Sequence, residues 1–190
     1  MSTVEKKQSV QRPQRWGLAV ITAVGLSVAA ILAAYARIHP GNGAAFLTFG
    51  FSGILQMKAW LTTAAASLVI VQVGTALAMW GRLPFVSRVP SWTAVVHRTS
   101  GTVAFVLTLP VAFQCVWSLG FSTTSTRTVI HSIAGCLFYG AFAAKMLALR
   151  LPRLPGPVLP ILGGLVAGLL TVIWFSAAFW FFTQSGFARY

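Results

Sequence analysis

The three histidines of this sequence, His39, His97 and His131, stand in or beside long apolar runs. An ionisable group in an apolar helix is costly to place and marks a functional site by default. Neutral imidazole is an axial ligand for haem iron, and helical bundles build cofactor sites from side chains on facing helices. A porphyrin is a broad plate, so a ligating His needs a small residue one turn away. His97 has Gly101 and His131 has Gly135 at i+4, on the same helix face. Ala104, Thr108, Val111, Ala112 and Cys115 continue the first of these faces, mostly with small side chains. These residues point to haem b, with His131, His97 and His39 as the metal ligands. The plainer alternative is histidines making ordinary hydrogen bonds near a membrane surface, on helices whose small residues let them pack closely without a cofactor.

The charges narrow the chemistry further. Lys and Arg total 14, and the one acid is Glu5. No carboxylate side chain follows from Lys6 to Tyr190. This excludes a paired-carboxylate acid/base site, a carboxylate cage for calcium or magnesium, an Asp/Glu proton relay and a triad with an orienting acid. It also leaves the cations at the membrane edges without a protein anion. Lys58 and Lys145 can snorkel to lipid phosphate. Lys58, and Arg98 beside His97, are the two that haem propionates would suit. Cys115 and Cys136 pack as small apolar residues, or join His131 around a soft metal. Gln72 and Gln114 are explained by interhelical hydrogen bonds, with contact to a quinone headgroup as the alternative.

The elements that must position these residues are membrane helices. Of the 190 residues, 57% are hydrophobic and 8% charged, against roughly 45–50% and 25% in a soluble domain. The basic residues occur singly or in pairs between long apolar runs, which argues against nucleic acid as a partner and for a lipid bilayer. The expected fold is an all-α integral membrane bundle of five transmembrane helices, over 16–35, 56–80, 92–119, 128–149 and 158–182. Each is long enough for a core of about 30 Å. A polar tail, 1–15, precedes the membrane domain, 16–183, and a short tail, 184–190, follows it. Residues 36–55, rich in Gly, read as a loop with a half-buried segment. The short connections at 81–91, 120–127 and 150–157 predict antiparallel neighbours. Trp16, Trp80, Trp92, Trp117 and Trp180 fall near helix ends, as interfacial belts require.

With the N-terminus in the cytoplasm, Lys6, Lys7, Arg12, Arg15, Arg82, Arg88, Arg98, Lys145, Arg150 and Arg153 lie inside. Arg37, Lys58, Arg127 and Arg189 lie outside. This bias orients a multi-pass protein of the plasma membrane. It also separates the histidines. His97 to Leu119 spans roughly 33 Å at 1.5 Å per residue, so His131 is level with Val116 rather than with His97. One haem cannot take both. On the outer side His131 has His39, Gln114 or Met57 within its level, with His39 preferred. On the inner side His97 has Met79 and Met146.

The run HRTSGTVAFVLTLPVAF, residues 97–113, resembles the His-Arg-x-x-Gly opening of ferric-reductase-like transmembrane cytochromes b. That resemblance implies a fold carrying b haems and moving electrons, with His97 as a ligand. Such helices also carry a second His 13–14 residues on. Here Pro110 and Val111 follow His97 at that distance, and Ala144 and Lys145 follow His131, which implies a reduced haem set. A second resemblance covers about 50–183. LQMKAWL, VHRTSGTVAFVLTLPVAFQCVWSLGF and IHSIAGCLFYGAFAAK are similar to an uncharacterised bacterial multi-helix membrane family, a domain of unknown function.

Three functions follow as expectations. The first is a haem-b electron-transfer subunit linking quinol to a redox partner outside, a carrier rather than a stand-alone enzyme. The second is a cofactor-free accessory subunit of a larger membrane complex. The third is a pigment-binding subunit with one axial His per site. A transporter is disfavoured, because no charge lies at mid-membrane.

Overall fold

The structure, a computed structural model, describes residues 15–86, 88–152 and 154–185. Lys6, Lys7, Arg12, Arg153 and Arg189, which entered the charge argument, lie outside the described residues, as does most of both tails. Six helices follow one another: α1 Arg15–Ile38, α2 Ile54–Met79, α3 Thr93–Phe113, α4 Thr126–Ala148, α5 Val158–Trp174 and α6 Trp180–Ser185. Two π-helical segments interrupt this series. Gln114–Leu119 extends α3, and Phe175–Phe179 joins α5 to α6. Counted through these segments, five helical stretches are long and apolar enough to cross a membrane: Trp16–Ile38, Ile54–Met79, Thr93–Leu119, Thr126–Ala148 and Val158–Ser185. No strand occurs among the described residues.

The boundaries follow local chemistry. Ser125 caps α4 through a capping box, its hydroxyl accepting from the Thr128 N–H while Thr128 Oγ1 accepts from the Ser125 N–H. Pro157 precedes α5, where a missing N–H is harmless. Gly120 ends the first π segment at φ 68°, a conformation that side chains disfavour. Residues 39–53 form a mostly exposed loop rather than the expected half-buried segment. The loop is tied back before Gly120, where Gly43 N–H donates to the Ser118 carbonyl at 2.8 Å, and just after Gly120 the Phe121 N–H donates to the Ala36 carbonyl of α1 at 2.9 Å.

Packing order differs from chain order. α1 lies along α4, α2 along α3, and α5 between α4 and α2. The tight connection between α3 and α4 makes them antiparallel, yet they are not close-packed neighbours as the sequence predicted. Two causes are visible. α1 outcompetes α3 for α4, because Gly25 and Gly140 let those two backbones approach until a Cβ on Gly140 would collide with the Gly25 carbonyl. The α3 side meets α4 only through large side chains. Phe105 stacks on Phe142 at 3.8 Å between ring centroids, and the Tyr139 hydroxyl donates to Thr108 at 2.9 Å.

The core proper is where α2, α4 and α5 meet, with Ala65, Ala134, Phe138, Leu170 and Ile173 buried together. The outward faces carry large apolar side chains such as Ile31, Ile70 and Phe175. Such faces suit hydrocarbon rather than water. Trp16, Trp80 and Trp92 stand exposed at one end of the bundle, and Trp117 at the other. These ends are called below the His97 end and the His131 end.

Candidate functional site

The space that α3 and α4 leave between them is a cavity of about 320 Å³ at the His131 end. Thr108, Val111, Ala112 and Cys115 line one wall from α3 and its π extension. The α4 wall carries His131, Gly135 one helical turn on, and Cys136 next to it. Lys58 and Thr62 of α2 and Ile173 of α5 close the back. The hydrogen-bonded pair Tyr139 and Thr108 closes the floor toward the middle of the bundle. A second, shallower groove under the 39–53 loop adjoins the cavity and shares Leu55, Leu119 and Phe181 with it.

His131 is held from behind. Its Nδ1 lies 3.1 Å from Ser176 Oγ, and the Ile173 carbonyl is a second hydrogen-bond partner for the ring. Ser176 belongs to the π segment Phe175–Phe179. There the Trp180 N–H is directed to the Ala177 carbonyl, and the Ser176 carbonyl accepts from the Arg127 guanidinium. The same guanidinium lies over the Trp180 ring, 3.8 Å from its centroid, a cation–π contact. Arg127 is one turn before His131 on α4, so both face the same π segment.

Gly135 is the next residue on the His131 face. A Cβ built there meets no heavy atom within 4 Å, so the glycine leaves open cavity above it. Lys58 is 8% exposed, and it makes no hydrogen bond or salt bridge among the described residues. No buried side-chain nitrogen or oxygen there lacks a partner, so the Lys58 ammonium is open to the cavity it lines. The cavity therefore presents one imidazole nitrogen, two cations and largely apolar walls. No carboxylate side chain exists beyond Glu5 to neutralise the cations. That donor set matches an apolar plate with anionic substituents.

The other expected site residues lie elsewhere. His97 bonds Thr75 Oγ1 through Nδ1 at 2.8 Å, across the α2–α3 interface. The room expected over Gly101 is filled: a Cβ there would lie 3.0 Å from the Gln72 side chain. Gln72 donates to the His97 carbonyl and to Ser100 Oγ. The His97–Gly101 pair thus frames a hydrogen-bonded helix interface and no open space. Arg98 is exposed on the outside of α3, away from the cavity. His39 is also exposed; its Nδ1 lies 3.0 Å from the Tyr35 carbonyl and its ring stacks on Tyr35. It shares the His131 end but does not line the cavity.

Gln114 and Met57, the other partners considered for His131, are fully buried in packing. Gln114 donates to the Leu47 carbonyl at 3.0 Å and accepts from Ser118. Met79 and Met146 are exposed at the far end. Cys115 and Cys136 share the cavity wall as free thiols. No group of three His, Cys, Asp or Glu among the described residues is placed to hold a metal ion, which counts against the soft-metal reading.

Sequence reasoning missed Ser176 and gave Arg127 only a topological role. The Arg-x-x-x-His spacing of Arg127 and His131 was the available signal, since it puts both on one helix face. Nothing in the FSAAFWFF run marks Ser176 as the partner.

Residues 18–189 match a family described as a family of unknown function (DUF6529). No curated protein and no solved structure matches the chain.

Proposed function

The chain belongs to that family of unknown function, and from its own geometry we propose that it is a membrane-embedded electron-transfer subunit whose cavity takes b-type haem on His131. The observation that carries this is the His131–Gly135 pair: an imidazole that lines the cavity and is braced at Nδ1, beside a glycine that leaves the adjoining space open. In this reading the five long apolar helices cross the plasma membrane with the N-terminus in the cytoplasm. Lys58 and Arg127 supply positive charge for the propionates, and apolar walls exclude water from the plate. The cavity volume is at the low end for ligand pockets, so a haem would also need the adjoining groove under the loop. Haem supplies one-electron redox chemistry, while the protein sets its position and surroundings. Quinol as donor and an outer redox protein as acceptor complete the proposal. His39, at the same end, would be the further histidine to hold the haem, although it is turned to Tyr35 and does not line the cavity.

A second reading has its own support. Arg127 and His131 each already have a protein partner, so their geometry does not require a ligand. That suits an accessory subunit whose cavity takes only a lipid. The absorption spectrum of protein purified in detergent after expression with a haem supply separates the two. Haem-b binding gives a Soret band and a sharp alpha band on reduction, both lost in His131→Ala. A colourless preparation, or unchanged haem content in His131→Ala, rejects the first reading.

A further inference from the structure

We infer that Ser176 and Arg127 are positioning residues that fix His131 as the Nδ1–H tautomer, with the Nε2 lone pair turned to the cavity. The inference rests on His131 as the ligating residue of the site. The hydroxyl of Ser176 has one proton, and its nearest acceptor is the Val172 carbonyl at 2.7 Å. Backbonding of this kind is common for serine in helices. With its proton used there, Ser176 Oγ accepts from His131 at 3.1 Å, and the Ile173 carbonyl of the same helical stretch, the ring's other partner, can only accept as well. His131 Nδ1 must then carry the hydrogen, which leaves Nε2 as the nitrogen with a lone pair.

In water the opposite tautomer predominates, so the protein imposes this one. Arg127 anchors the arrangement. It holds the Ser176 carbonyl and is itself seated on Trp180, so the π segment cannot rotate without breaking a charge-assisted hydrogen bond. The device resembles the outer-shell support that metal-ligating histidines receive, where the second ring nitrogen is held by a protein acceptor. A π segment at this place has the same logic. The wider turn puts a serine hydroxyl and a carbonyl toward α4 together, and such turns are frequent at functional sites.

The test needs no haem. Apoprotein labelled with ¹³C,¹⁵N-histidine is prepared in detergent, and the His131 signals are assigned with His131→Gln. Wild type should show Nδ1 as the protonated nitrogen and Nε2 as the unprotonated one. Ser176→Ala should give a mixture or the reverse, and Ser176→Thr, which keeps the hydroxyl, should restore the wild-type pattern. Arg127→Gln should weaken the preference without removing it. A wild-type Nε2–H tautomer, or an unchanged pattern in Ser176→Ala, overturns the inference.

The haem arm is read separately. If wild type is coloured, Ser176→Ala should hold haem roughly 10–100-fold more weakly and with a raised midpoint potential, since a weaker imidazole donor stabilises ferric iron less. Unchanged retention and potential also overturn the inference. A colourless wild type rejects the haem reading alone, while the tautomer measurement still decides the positioning role.

Discussion

Gly135 and Gly140 are separated by five residues on one helix, and the same substitution should move stability in opposite directions at the two. At Gly135 an added Cβ meets nothing within 4 Å. Gly135→Ala therefore removes only the conformational freedom of glycine, a gain of about 0.5–1 kcal/mol in a helix interior. Gly135→Leu also fills part of the cavity, worth about 1–2 kcal/mol more on the scale of cavity terms. At Gly140 the Cβ would collide with the Gly25 carbonyl and crowd Ala29 at 3.1 Å. Backbone cannot yield as a flexible side chain does, so Gly140→Ala should lose about 1–3 kcal/mol by overpacking. For a chain of this length 1 kcal/mol moves Tm by about 2–4 °C. Thermal unfolding of the haem-free proteins in detergent, which keeps ligand stabilisation out of the comparison, then reads Gly135→Leu several degrees above wild type and Gly140→Ala several degrees below. The same Gly135→Leu protein should have lost its haem absorption, because the leucine occupies the plate's place. A Gly135→Leu protein that is destabilised would show that the space beside His131 is not there. One that is stabilised yet fully coloured would show that haem does not lie over Gly135.

Other expectations follow from the same geometry. His97→Asn should leave haem content unchanged, since His97 does not line the cavity, but should lower stability by about 1–3 kcal/mol through the lost Thr75 bond; loss of colour would move the site to the His97 end. Lys58→Met should weaken haem retention while leaving the Tm of the haem-free protein equal or higher, because it removes a buried cation that no protein anion pairs; unaltered retention would discard Lys58 as a propionate partner. Reporter fusions should read the N-terminus as cytoplasmic and the C-terminus as external, and the reverse pattern would refute the orientation drawn from the basic residues.

The elements were legible because hydropathy is a one-dimensional property. Each of the five apolar runs is present as a helix, with ends moved by a few residues: the first runs to Ile38 rather than Tyr35, and the second starts at Ile54 rather than Gln56. The separation of His97 from His131 followed from rise per residue alone. Pairing was not legible. The short connection after Leu119 fixed the direction of α4 but not its partner, which a close approach between Gly25 and Gly140 assigned to α1. Nor could the i+4 glycines be told apart. Gly101 and Gly135 stand in the same relation to a histidine, and only the fold shows Gln72 over one and open cavity over the other.

By itself, then, the sequence determined the class of molecule: a chain of apolar helices with one acid among fifteen charged residues, hence cations in need of an anion from elsewhere. That conclusion rests on composition and spacing, which survive any arrangement of the helices. Tertiary structure decided which cations and which histidine share a space. Lys58 comes from α2, while Arg127 and His131 come from α4 and are braced by Ser176 of a π segment 45 residues from His131. Contacts of that kind depend on which helix faces meet. A period of 3.6 residues predicts a face, but only the packing of side chains against one another selects what it faces.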